Sequence, residues 1–276
     1  MAVGEVGDED RSLATVAAYT SGGDKLQMCY TFDLLGPQFS AAHVRKCVSA
    51  FEAAVADGWI CWAFSNHDVM RHVSRWTEPG GDPDKVAKFA IDLLVSLRGS
   101  ICLYEGEELG LEEAELAFED LRDPYGIRFW PEFKGRDGCR TPMVWDDARP
   151  NAGFSTARPW LPVAKEHLPL AVNKQQGDPN SLLEHYRRFL AFRSSHPALI
   201  KGDIDFLAVD GDAIAFARRE GNEQIVCAFN LGSTPATIDL GVGRDGQSLS
   251  GHGLLGKAEG GTIKLQGYGA WFGRLA

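Results

Sequence analysis

The sequence lacks any apolar run long enough to cross a membrane: no stretch of eighteen or more apolar residues occurs in its 276 positions. It also lacks a basic amino-terminal region followed by an apolar one, because the charged side chains of residues 1–10 are all acidic. These absences argue against a membrane-anchored or exported protein. We therefore expect a cytoplasmic one.

Basic residues are in the minority. The 28 Lys and Arg side chains are outnumbered by 38 Asp and Glu, which gives a formal net charge of -10. Nucleic acids and anionic membranes select clustered positive charge, so neither is a predicted partner. A small neutral ligand fits this balance better.

Cysteine is present, but without the spacing of a zinc site or a disulfide framework. No CxxC pair occurs, and several of the cysteines lie inside apolar runs. We interpret all six as reduced and buried, and we predict neither a metal nor a cofactor. They are Cys29, Cys47, Cys61, Cys102, Cys139 and Cys227.

The first two-thirds of the chain alternate between strand and helix patterns, which predicts an α/β fold with a parallel sheet. Helix starts are marked at Ser40, a capping residue before an apolar stripe, and at Asp82-Pro83, where proline takes the first helical position. The predicted strands occupy residues 2–6, 28–34, 60–64 and 101–104.

Two later regions break this alternation. Residues 109–179 are rich in Pro, Gly, Trp and Arg, and so long a connection is typical of a functional loop. A capping box then opens a helix at Ser181. Short strands separated by turns follow from about residue 200, which predicts a small antiparallel β-sandwich. We therefore predict one domain at residues 1–199 and a second at residues 200–276.

The strand at residues 60–64 is followed by the polar residues Asn66, His67 and Asp68. In a barrel of alternating strands and helices, the carboxyl ends of the strands carry the active site, so polar side chains here favour function. The alternative is a turn in which the Asp68 carboxylate caps the next helix. Spacing alone does not separate these two interpretations.

Four segments at strand ends and in the long loop form a recognisable series. They are VGE at residues 3–5, FSNHD at 64–68, YEGEELG at 104–110 and GRDGCRTPMVW at 135–145. In this order they resemble the alpha-amylase family of glycoside hydrolases, and most of all its bacterial alpha-glucosidase and oligo-1,6-glucosidase group. The family's barrel has eight strands and only four are predicted here. The resemblance thus implies the C-terminal half of a (β/α)8 TIM barrel, strands 5–8, followed by the β-sandwich.

The resemblance also implies roles for individual residues. Glu5 matches the general acid/base, and Asp68 matches the carboxylate that binds sugar hydroxyls and stabilises the transition state. His67 matches a hydrogen-bond donor to the same sugar. Arg136, with Arg140 as the alternative, matches an arginine that fixes the non-reducing end of the glucose.

We add Asn66, at the same strand end, to the candidate substrate-binding residues. A protonated acid and an ionised carboxylate are what retaining cleavage of a glycosidic bond requires, although Arg136 and Arg140 could equally be loop residues in salt bridges.

One part of the family pattern is missing. The nucleophile of the family is an aspartate in a Gly-Phe-Arg-Leu-Asp type segment, and no such segment occurs in this sequence. Two hypotheses follow. Either the chain belongs to an alpha-glucosidase acting on short alpha-linked glucosides, with the nucleophile on a separate amino-terminal piece, or it is a truncated, non-catalytic product or a carbohydrate-binding or assembly module. A half-barrel would leave one edge of its first strand and one edge of its last strand unpaired, at Val3 and Ile101, which predicts self-association or a partner that supplies the other half.

Overall fold

The computed structural model describes residues 1–7, 11–55, 57–241, 245–254, 256 and 258–275. Contacts between these residues divide the chain into two compact units. The first unit comprises Met1–Ala63, Phe89–Cys102 and Arg188–Ala276, and the second comprises Phe64–Lys88 and Leu103–Arg187. The division into domains at residues 1–199 and 200–276 stays a prediction.

Four short strands of the first unit pair in parallel, as the alternating pattern predicts. The strand β1 pairs with β2 and the strand β3 pairs with β4, and a parallel bridge joins Cys29 of β2 to Ile60 beside β3. Within the described residues, β1 and β4 are each paired on one side only. The strands are β1 (Val3–Val6), β2 (Met28–Thr31), β3 (Cys61–Trp62) and β4 (Ser100–Ile101).

The prediction of a buried strand over residues 101–104 is wrong in length and in burial. β4 ends at Ile101, and the next residue, Cys102, is exposed. Because β4 pairs only with β3, no described strand covers its other side. The expectation that all six cysteines are buried therefore fails at Cys102 and holds at the other five.

Helices α1 (Ser12–Thr20) and α2 (Ala41–Ala54) lie between the strands. The predicted cap of α2 is confirmed, since Ser40 Oγ accepts a hydrogen bond from His43 N at 3.2 Å. Its apolar stripe is buried from Val44 to Phe51. The sequence pattern did not indicate α1, which buries only Val16 and Thr20.

Eight antiparallel strands follow in the described part of the first unit. Hydrogen bonds join them in the single order β5-β6-β7-β12-β9-β10-β11-β8, and the strands at the two ends, β5 and β8, lie close together. The antiparallel prediction is confirmed, but the sandwich of two separate sheets is replaced by one rolled sheet. The strands are β5 (Asp203–Asp210), β6 (Ala213–Glu220), β7 (Glu223–Asn230), β8 (Ala236–Asp239), β9 (Gly246–Ser248), β10 (Ala258–Glu259), β11 (Thr262–Leu265) and β12 (Ala270–Leu275).

Short helices and turns make up most of the second unit, as expected for a long connection. A cluster of buried apolar residues that includes Leu109, Val144 and Leu183 forms its core. The remaining helices, of which α4 and α7 contribute residues to both units, are α3 (His72–Trp76), α4 (Pro83–Leu94), α5 (Pro124–Arg128), α6 (Val172–Gln175), α7 (Leu182–Ser194) and α8 (Pro197–Lys201). Among the described residues, none of the helices has the length and apolarity that spanning a bilayer requires.

Candidate active site

The polar residues after β3 form a turn that Asn66 closes. The Asn66 Oδ1 atom accepts hydrogen bonds from Asp68 N at 2.8 Å and from Val69 N at 3.1 Å. An asparagine that bonds the backbone two residues ahead is a common turn-forming device. The residue that caps α3 is Arg71, which makes no side-chain cap bond. The alternative in which the Asp68 carboxylate caps the next helix is therefore wrong.

Two arginines converge on the Asp68 carboxylate. Arg136 Nη1 donates to Asp68 Oδ1 at 2.9 Å, and Arg140 Nη2 donates to the same oxygen at 2.8 Å. His67 Nε2 lies 3.6 Å from Asp68 Oδ2. The Asp68 side chain keeps 31% of its surface exposed, so a ligand can still reach it. The structure thus brings together the candidate residues of both motifs in this unit.

Asp123 holds Arg136 from the other side. Its fully buried carboxylate accepts hydrogen bonds from Arg136 N and Nε, both at 2.9 Å, and from Arg136 Nη2 at 3.0 Å. These bonds to Arg136, above all those of its guanidinium, lower the pKa of Asp123 to about 2. Because the edge of the guanidinium formed by Nε and Nη2 is occupied by Asp123, the remaining nitrogen, Nη1, is directed at Asp68.

Sequence reasoning missed Asp123, although a signal was present. Asp123 precedes Pro124 at the start of α5 and accepts from Tyr125 N, the same Asp-Pro helix start that was recognised at Asp82-Pro83. Asp137, also missed, is buried and accepts from Arg122 N at 2.6 Å and Asp123 N at 2.7 Å. Asp137 thereby fixes the backbone position of Asp123.

The Cys139 carbonyl anchors the loop that carries both arginines. It accepts hydrogen bonds from Arg71 Nη2 at 2.9 Å and from Tyr104 Oη at 3.0 Å. Arg71 is almost completely buried and also donates to Glu105 Oε1 at 2.7 Å. The turn after β3, the segment at Tyr104 and the loop are therefore held to one another by bonds that do not involve Asp68.

The three glutamates of the YEGEELG segment differ in burial: Glu107 is buried, Glu108 is half-buried and Glu105 is exposed. Glu107 is buried with His72 Nδ1 3.6 Å from its Oε1 atom, and His72 N donates to Ser65 Oγ at 2.9 Å. Partial desolvation raises the pKa of Glu105 and of Glu108. Glu107 therefore lies against His72, which in turn bonds Ser65 just after β3, so its position favours a structural role.

Glu5 lies in the first unit, in different surroundings. It is exposed on β1, opposite Tyr30 of β2, and the Tyr30 hydroxyl donates to Glu5 Oε2. Glu5 also lines a cavity of about 380 Å³ whose wall includes Tyr19 and Leu26. Its role as acid/base stays a prediction, as do the roles of Asn66, His67, Asp68, Arg136 and Arg140 in binding or catalysis.

The part of the chain that the structure describes contains no candidate metal site. No group of three or more His, Cys, Asp or Glu side chains in these residues is arranged to hold a metal ion.

Residues 1–202 match the alpha amylase catalytic domain. The chain is 53% identical over 276 residues to a probable alpha-glucosidase of Rhizobium meliloti (strain 1021), with 100% of this chain and 50% of that protein covered. It is 30% identical over 213 residues to an oligo-1,6-glucosidase of Parageobacillus thermoglucosidasius, with 70% and 38% covered.

Solved structures also resemble the chain. The chain superposes on the crystal structure of an alpha-glucosyl transfer enzyme, XgtA, with a TM-score of 0.91 and 49% identity, over 98% of this chain and 50% of that chain. A mutant of the trehalulose synthase MutB, at 24% identity and a TM-score of 0.83, covers 99% of this chain and 55% of its own and shows a shared fold. The chain thus spans half or less of the length of the two curated relatives. From the match over residues 1–202 and the identity to these relatives, it belongs to the alpha-amylase family of glycoside hydrolases.

Proposed function

We propose that the chain is part of a retaining alpha-glucosidase that releases glucose from short alpha-linked glucosides. The observation that carries this proposal is the partly exposed Asp68 carboxylate with Arg136 and Arg140 on one of its oxygens. The 53% identity to a protein named probable alpha-glucosidase supports the same substrate class.

The chemistry assigns separate tasks to the candidate residues. Glu5 gives a proton to the leaving glycosidic oxygen and later takes one from the attacking water, as retention requires. Asp68 accepts hydrogen bonds from sugar hydroxyls and stabilises the positive charge that develops on the ring. Arg136 and Arg140 hold the Asp68 carboxylate in place and donate to the same sugar, and His67 adds a further donor.

Asn66 acts on substrate through the shape of the turn. Its Oδ1 atom is used by the backbone of residues 68 and 69, while its Nδ2 atom is buried without a hydrogen-bond partner in the described structure. The bonds to the backbone favour a positioning role for Asn66, with Asp68 as the group that touches the sugar.

The nucleophile is contributed by residues outside this sequence. In this proposal β1 to β4 are strands 5–8 of the family's barrel, and the remaining strands come from an amino-terminal half or from another partner. The single-sided pairing of β1 and β4 supports this arrangement, because unpaired strand edges bind further strands readily. If no partner is present, we expect the chain to self-associate.

Hydrolysis of p-nitrophenyl alpha-glucoside tests the proposal. The purified chain is assayed alone and after co-expression with the part of the Rhizobium meliloti relative that it does not match. We expect turnover only in the combined sample, and loss of that turnover in Glu5→Gln. Turnover by the chain alone would show that the nucleophile lies within it. A correctly assembled complex without turnover would support a non-catalytic binding or assembly module instead.

Glucosyl transfer is the second candidate function. The observation that favours it is the similarity, at 49% identity, to an alpha-glucosyl transfer enzyme. Transfer and hydrolysis share the first chemical step and differ in whether water or another hydroxyl accepts the glucosyl group. Product analysis with an added alcohol acceptor distinguishes them: free glucose as the main product supports hydrolysis, and the glucosylated acceptor supports transfer.

A further inference from the structure

The second unit contains a cavity, separate from the one at Glu5, that is lined by residues that take no part in the Asp68 site. Its volume is about 390 Å³, within the range of about 300–1,000 Å³ that is typical of ligand pockets. Residues 120–122, 147–152 and 158–168 contribute its walls. None of the candidate residues at positions 66–68, 136 or 140 is among them.

The wall at residues 151–153 has an unusual backbone. Asn151 and Ala152 have φ values of 51° and 52°, in the left-handed region that side chains other than glycine rarely adopt. The conformation is held in place because Asn151 Nδ2 donates to Ser155 O and Ala157 O, both at 2.9 Å. Strained backbone that its surroundings hold this firmly is concentrated at functional sites.

An aromatic ring stands at the same cavity. The Trp160 side chain is 77% exposed and is flanked in the lining by Pro159 and Pro162. An exposed indole is a large, flat and mainly apolar surface with one polar edge. Sugar rings, which carry a face of C–H groups, stack on surfaces of this kind.

Unused donors and acceptors surround this ring. In the described residues, the Arg158 guanidinium and the Asp120 carboxylate have no ion pair or side-chain hydrogen bond. Asp147 is paired with Lys174 at 2.9 Å, and the guanidinium of Arg122 donates to the carbonyl of Leu121 at 3.0 Å. A donor and an acceptor on one wall suit hydroxyl groups, which can accept from the guanidinium and donate to the carboxylate.

We propose that this cavity is an accessory binding site for a neutral oligosaccharide. One sugar ring stacks on Trp160, and its hydroxyls bond to Arg158 and Asp120. The proposal requires no turnover, so it stands apart from the function proposed for Glu5 and Asp68.

Calorimetric titration of the full chain with maltoheptaose tests the site. We expect Trp160→Ala to weaken binding about tenfold through loss of stacking. Arg158→Ala should weaken it several-fold. The matched control is Phe133→Ala, another exposed aromatic residue of this unit that does not line the cavity, and it should bind as the wild type does.

Two further variants keep the test decisive. Trp160→Phe retains a flat ring and should keep part of the affinity. If circular dichroism shows that Trp160→Ala is unfolded, Trp160→Phe takes its place in the test. The titrations are repeated in Asp68→Asn, which removes the contribution of the Asp68 site, and the effects of the Trp160 and Arg158 substitutions should persist in that background. The proposal would be overturned if Asp68→Asn lost all binding, or if the Trp160 and Arg158 variants bound maltoheptaose as tightly as the wild type does. Displacement of the sugar by inorganic phosphate, or the absence of any heat of binding, would also overturn it.

Discussion

Asp68 and Glu5, the two carboxylates predicted to serve one reaction, are surrounded very differently. Asp68 accepts from two arginines, one of which is held by a buried aspartate, and the loop that carries them is tied down at the Cys139 carbonyl. Glu5 is exposed on a strand with one described neighbour and has the Tyr30 hydroxyl as its bonding partner.

This difference shows how much of each site the chain builds by itself. The surroundings of Asp68 are formed within the second unit by charged groups that are paired inside it. The surroundings of Glu5 consist of one strand pair and a cavity wall, so we expect its final environment to depend on whatever covers β1. Substitutions at the two sites should therefore differ in their effects.

The largest effect should come from Asp68→Asn, measured in the chain co-expressed with the unmatched part of the Rhizobium meliloti relative. Loss of the charge that stabilises the transition state should lower turnover by on the order of 10³-fold, since groups aimed at developing charge contribute this much. Hydrolysis of p-nitrophenyl alpha-glucoside gives the measurement. The control is Asp84→Asn, an exposed aspartate paired with Lys88, which should change little. Comparable activity in Asp68→Asn would remove Asp68 from the site.

Asp123→Asn should destabilise the protein by about 3 kcal/mol, because it leaves the Arg136 guanidinium facing a buried neutral group. Urea unfolding measures the free energy, and Asp84→Asn again serves as control, with an expected loss below about 1 kcal/mol. If Asp123→Asn costs no more than the control, the buried pair does not hold the Asp68 site together.

The Asp123 pair also predicts a pH dependence. The pKa of Asp123 is lowered from 3.8 to about 2 in the folded state, so its stabilisation is complete above about pH 4 and is lost as the pH falls through 2. The difference in unfolding free energy between wild type and Asp123→Asn should stay constant from pH 7 to 5 and shrink by about 2 kcal/mol towards pH 2. A difference that does not change over this range would contradict the assignment.

Tyr30→Phe should have the smallest effect. It removes the hydroxyl that donates to Glu5, but an exposed carboxylate regains a water hydrogen bond, so the loss of stability should stay below about 1 kcal/mol. Thermal unfolding of the chain alone provides the value. A loss of several kcal/mol would mean that the Glu5 site is as firmly built as the Asp68 site.

Local pattern was sufficient for much of the fold. The start of α2 at Ser40, the buried stripe of that helix and the β5-β6 hairpin depend on residues close in sequence, and all three are found. The motifs likewise identified the family, because they combine residue type with order. Short strands without a strong apolar pattern, such as β9 and β10, were missed.

The sequence by itself determined the alternation of strands and helices, the family and the list of candidate residues. Only the tertiary structure decided that Arg136 and Arg140 both bind Asp68, that Asp123 holds Arg136, and that the eight antiparallel strands form one rolled sheet. The physical reason is distance along the chain. Arg136 and Asp68 are 68 positions apart, and no local propensity specifies which of many charged residues will meet when the loops pack.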